Sequence, residues 1–145
     1  LAGVRETVRL VKPQTYMNLS GGALVQYARR PFWSAANDLL VVVDDAAIPT
    51  GTWRVRAEGG AGGHNGLKSI QQSLGTQQYA RLRIGVGDPD RPPGGPLSDF
   101  VLGALGKRDA ATVRELFPVM TECIEAWVHG GIKPALDVQS RAPKG

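Results

Sequence analysis

The chain has 145 residues and a mass of 15.4 kDa, the size of one domain. Hydrophobic residues make up 42% and charged residues 21%, which excludes an intrinsically disordered chain, and no apolar run approaches the ~20 residues of a membrane span. Lys and Arg number 17 against 13 Asp and Glu, a net charge of +4 that permits an anionic partner without requiring one.

The first residue is Leu1, which predicts a processed, trimmed or fragmentary product. The opening LAGVRETVRL lacks the apolar core of a secretory signal. One cysteine, Cys123, excludes an intrachain disulfide framework and a cysteine-rich zinc site, so a reducing, cytoplasmic setting is the default expectation.

In chain order, residues 5–12 read as a strand at or near a sheet edge, ended by Pro13. PQTYMNLSGG, 13–22, is turn-rich. Ser20 and the glycines start a helix on which Ala23, Leu24, Tyr27 and Ala28 recur at helical spacing. Arg29, Arg30 and Pro31 close it, with cations at its negative end. DLLVVV, 38–43, predicts a strand buried on both faces and ending at Asp44-Asp45, where α/β sheets usually place ligands. In GTWRVRA the alternation puts Trp53 and Val55 on one face and Arg54 and Arg56 on the other.

GGAGGHNG, 59–66, holds five glycines in eight positions, and a helix is predicted from Leu67 to about Leu74. YARLRIGVG, 79–87, is a strand with Leu82, Ile84 and Val86 on one face, followed by a loop over 88–96. Val113, Leu116, Phe117, Met120, Ile124 and Trp127 predict one long amphipathic helix from Arg108 to about Val128, with Pro118 placed to kink it and Cys123 packed on its apolar face. The tail from Gly130 is weakly patterned, and neither an internal repeat nor a second domain is evident.

The glycine-rich segment is the most distinctive feature. Leu67 separates Gly66 from Lys68, so it is not a Walker A loop, and Asn65 breaks the dinucleotide fingerprint. What remains is a glycine-lined approach to His64 and Asn65, where backbone passes close to a ligand without a Cβ in the way. From the residues alone several readings stay open. His64 is a cleft residue or a loop histidine with one backbone hydrogen bond, and Asn18 is a binding residue or an Asx-turn. Asp44 and Asp45 are ligands or solvated charges. Arg54, Arg56, Arg81 and Arg83 are a phosphate site or a solvated face. His129 reads as surface or helix end.

Taken together, VKPQTYMNLSGG, LLVVVDDAAIPTG, RAEGGAGGHNGLKSI, YARLRIGVGDP and SDFVLG resemble, in order, five motifs of the bacterial-type peptidyl-tRNA hydrolases, over residues 10 to 103. The resemblance implies a monomeric, single-domain, three-layer α/β/α enzyme over 1–145 with a mixed, largely parallel sheet. Its substrate is peptidyl-tRNA, whose ester to the 3′ ribose it cleaves, and no metal or organic cofactor is implied. Asp44 matches the aspartate that supports a base histidine. Asn18 and Asn65 match the asparagines that position substrate, water and tetrahedral intermediate. Tyr16 lies in the Asn18 motif and is expected to contact substrate. His64 matches a histidine lining the cleft, and Arg56 and Arg83 match basic positions that meet tRNA phosphate.

The match also has gaps. The G-N-P-G and T-R-H-N segments, the second carrying the family's base histidine, have no counterpart here. The expectation is a domain incomplete at its N-terminus, missing its first strand and inactive as a separate chain. Ala47 stands where the family usually has aspartate, which puts in doubt a polar contact near Asp44. A catalytically inactive RNA-binding relative is the alternative reading, and an unrelated phosphate-binding α/β domain is a third.

Overall fold

The computed structural model describes residues 7–13, 17–62, 64–87 and 107–142. The chain divides into two compact units, one of residues 1–40 with 56–80 and the other of 41–55 with 81–145. The loop expected over 88–96, the SDFVLG motif and Tyr16 lie outside the described residues.

In the first unit, residues 7–13 form no strand. Val8, Leu10 and Val11 are exposed, Leu10 to 93%. This corrects the strand expected over 5–12. Alternating apolar residues make a strand only when a neighbouring strand completes the ladder, and the described part of this segment is outside the sheet. The expected helix after Ser20 begins earlier, as a 3-10 helix, η1 (Met17–Leu24), that continues into α1 (Val25–Ala28). A one-turn helix the sequence did not signal, α2 (Ala35–Asp38), follows. Its Asp38 carboxylate accepts from the Ser34 backbone N–H at 2.8 Å.

The main helix of this unit is α3 (Asn65–Leu74), close to its expected bounds and closed by Gly75 in the left-handed region. Its buried face carries Leu67 and Ile70, and the Tyr79 hydroxyl donates to the Leu67 carbonyl at 3.5 Å. The packing of η1 on α3 is set by Gly21. Its N–H donates to Ser69 Oγ at 2.9 Å, and a Cβ at that position would collide with the Ser69 carbonyl. Only a residue without a side chain lets the two backbones come this close.

The second unit carries the sheet, in the order β1-β3-β2 and mixed, with one parallel pair, β3 (Ala80–Gly87) lying between β1 (Leu40–Pro49) and β2 (Trp53–Arg56). This is the mixed α/β architecture expected. Two details of β1 are corrected. It does not end at Asp44-Asp45 but runs through them to Pro49, so both carboxylates lie mid-strand. Nor is it buried on both faces, since Val42 is 48% exposed. The doubly buried strand is β3, which sits between the other two. A run such as LLVVV favours a strand, but its place in the sheet is set by which strands find it.

β2 follows its alternation, with Trp53 and Val55 buried and Arg54 and Arg56 exposed. Its backbone is met by Gln139. That side chain accepts from the Val55 N–H at 2.9 Å and donates to the Trp53 carbonyl at 3.3 Å, as a further strand would.

The single long helix expected over 108–128 is two, α4 (Lys107–Glu115) and α5 (Phe117–Gly130). Pro118 has no N–H to continue the ladder, and Leu116 closes a tighter turn onto the Val113 carbonyl at 3.0 Å. Val113, Met120 and Cys123 are buried as expected, whereas Phe117 is exposed. The weakly patterned tail is a third helix, α6 (Ile132–Arg141), with Pro134 tolerated in its first turn and Ala135 and Val138 buried. It packs on α5, where Cys123 Sγ donates to the Ala135 carbonyl at 3.4 Å.

Candidate active site

In the first unit, the motif around Asn18 and the motif around Asn65 meet through their helices. Asn18 is the second residue of η1 and Asn65 the first of α3, the two elements held at the Gly21–Ser69 contact. Ser69 therefore belongs to the site's framework, a role its place in GLKS did not reveal. The glycine-rich approach uses positive φ at Gly59 (143°) and Gly62 (58°), a region L side chains rarely adopt. A turn from the Ala61 carbonyl to the His64 N–H at 3.0 Å then delivers the chain into α3.

His64 is the N-cap of α3. Its Nδ1 accepts the Leu67 N–H at 3.2 Å, so the single backbone hydrogen bond considered from sequence is present. That bond has a chemical consequence. With Nδ1 used as an acceptor, a neutral imidazole carries its proton on Nε2. Asn65, next in the chain, is exposed in the first turn of α3, where helix amides favour developing negative charge.

In the second unit, Asp44 and Asp45 are consecutive on β1 and so point to opposite faces. Asp45 is 5% exposed. One of its oxygens accepts the Ala47 N–H at 2.9 Å, and the other takes Arg83 Nη1 at 3.3 Å. Ala47 thus serves the carboxylate through its backbone, where the sequence raised only the loss of its side chain. Asp44 is half-buried. Arg83 is held by its pairing to Asp45. Arg81, two residues earlier on β3, is only 1% exposed and is therefore not part of a solvated face. Arg56, which ends β2 and falls at the edge of the first unit, is exposed.

Sequence reasoning missed the Asp45–Arg83 pair and the burial of Arg81. Both depend on the register of β1 against β3, which no local pattern encodes. Cys123 is packing, not a nucleophile. Burial first, and the Glu122 charge second, push its thiol up to about 11. Among the described residues no three His, Cys, Asp or Glu gather to hold a metal ion, and no helix is long and apolar enough to cross a membrane.

The family model described as Peptidyl-tRNA hydrolase matches residues 2–144. The chain belongs to the peptidyl-tRNA hydrolase family. It is 46% identical over 142 residues to the peptidyl-tRNA hydrolase of Gemmatimonas aurantiaca, covering 97% of this chain and 74% of that one. A relative of the same name from Thermotoga sp. is 45% identical over 132 residues, covering 90% and 69%. The crystal structure of peptidyl-tRNA hydrolase from Acinetobacter baumannii superposes with a TM-score of 0.76 at 27% identity. It covers 92% of this chain and 66% of that one. The chain thus spans about two thirds to three quarters of the length of these family members.

Proposed function

We infer that the protein hydrolyses the ester joining a peptide to the 3′ ribose of tRNA, releasing free tRNA and peptide. The observation that carries this reading is the family match over residues 2–144. A non-catalytic RNA-binding relative gains no support from relatives that carry the hydrolase's name.

Water attacks the ester carbonyl, the carbonyl oxygen becomes an oxyanion, and the ribose 3′ oxygen leaves with a proton. The Asn65 carboxamide donates to the oxyanion, a contribution of about 3 kcal/mol for one well-placed donor. Asn18 and Tyr16 orient the substrate, and His64 donates from Nε2 as a positioning group. Asp44 supports the imidazolium formed when a base histidine accepts the proton of water. On this reading the base role falls to neither His64, which caps α3 through Nδ1, nor His129, in the last turn of α5. Arg56 and Arg83 meet RNA phosphate through the planar guanidinium fork. The enzyme works in the cytoplasm as a monomer, without metal or cofactor.

The test is release of peptide from peptidyl-tRNA. The 145-residue chain is expected to give none, and the product of the whole reading frame that encodes it to turn over. In that product Asn65→Ala lowers kcat by about 100-fold, the scale of one oxyanion donor. Turnover by the 145 residues alone would return the base role to His64. No turnover by either would overturn the hydrolase reading.

A further inference from the structure

The first unit contains seven Lys and Arg against three Asp and Glu, while the second contains ten of each. The whole net charge of +4 therefore resides in the first unit. It is concentrated further. From Thr7 to Ser34 there is no carboxylate, and Arg9, Lys12, Arg29 and Arg30 all fall in that stretch.

The structure organises part of this charge. The Arg30 guanidinium lies 4.8 Å from the centroid of the Tyr27 ring, and that of Arg9 lies 5.7 Å from it while donating to the Tyr27 hydroxyl at 3.5 Å. Two cations are thus held at one aromatic ring. Arg29 follows α1 and is exposed. Beyond Pro31, Phe32 is fully exposed, at 104%, and adopts φ +65°. A bulky residue in the left-handed region carries a backbone cost, and here that cost holds a phenyl ring in water instead of in the core. Packing does not explain this arrangement. An exposed aromatic ring beside ordered guanidinium groups is what an RNA strand requires, a stacking surface for a base and forks for the flanking phosphates.

We propose that Arg9, Tyr27, Arg29, Arg30 and Phe32, in addition to Arg56 and Arg83, form an RNA-contact surface that grips backbone phosphates of tRNA and stacks one unpaired base on Phe32. This rests on the reading that tRNA is part of the substrate.

Binding of deacylated tRNA is measured by fluorescence anisotropy between 50 and 200 mM KCl, on the 145-residue chain and its variants. Arg29→Ala with Arg30→Ala is expected to weaken binding about tenfold at the low-salt end and to reduce the salt slope by about 1 to 2, since each duplex phosphate contact contributes roughly 0.9. Arg29→Lys with Arg30→Lys retains most of that slope. Phe32→Ala lowers affinity about tenfold and leaves the slope unchanged, and Phe32→Tyr restores it. Unchanged affinity and slope in the alanine variants, with the parent chain binding, overturn this surface and leave the hydrolase reading intact. A parent chain that does not bind tRNA at all removes this surface and counts against the substrate reading too.

Discussion

The two units hold their functional residues by different means. In the first, the segments bearing Asn18 and Asn65 are brought together by a close backbone approach, Gly21 against Ser69, and the net charge of the protein is left on the surface. In the second, opposite charges balance in number, and the pair at Asp45 and Arg83 is built into neighbouring strands. One unit depends on the absence of a side chain and the other on the presence of two. The difference teaches where each is fragile: the first to added atoms, the second to lost partners.

The sharpest way to break this comparison is Gly21→Ala. The new methyl meets backbone, which cannot rotate aside, so a loss of about 3 kcal/mol is expected, at the upper end for overpacking, read by urea denaturation. A stable variant would mean that η1 does not need its close approach. Next is Asp45→Asn, which removes the Asp45 charge from beside a partly exposed Arg83. About 2 kcal/mol is expected, discounted from the fully buried case because Arg83 retains contact with water. Asp45→Asn combined with Arg83→Met should recover part of that loss, and a strictly additive double variant would show that the pair is not coupled.

Gln139→Ala removes two hydrogen bonds from the backbone of β2 and is expected to cost about 1 to 2 kcal/mol. Amide exchange at Val55 should accelerate with it, and an unchanged rate would argue against the contact. The smallest change is His64→Asp, which substitutes one helix cap for another. Stability is expected to stay within about 0.5 kcal/mol, while peptide release by the whole reading-frame product falls, because Asp cannot donate as Nε2–H does. A matching loss of stability would reduce His64 to its cap.

The sequence made much of each unit legible. β2 follows its period-two alternation, α3 starts two residues before its expected onset, and β3 one residue after. Those signals are local, since alternation, a helical face and a glycine stop are all read within a few residues. The helix over 132–141 escaped because its buried face is narrow, essentially Ala135 and Val138, and its partner helix is needed to recognise it. The strand read into 5–12 failed for the converse reason, a pattern whose described part finds no partner.

Of the site, the sequence by itself determined the residue types and their order: Asn18 in MNLSGG, Asp44 after a β-branched run, His64-Asn65 among glycines, and through them the family. Only the tertiary structure decided their states. It buried Asp45 against Arg83 and left Asp44, one residue away, half-buried. It buried Arg81 while leaving Arg54 and Arg56 exposed, and it turned His64 into a helix cap that accepts through Nδ1. The reason is that a side chain's chemistry depends on its neighbours in space. Strand register and helix packing select those neighbours through contacts far apart in the chain, and composition and spacing do not encode which contacts form.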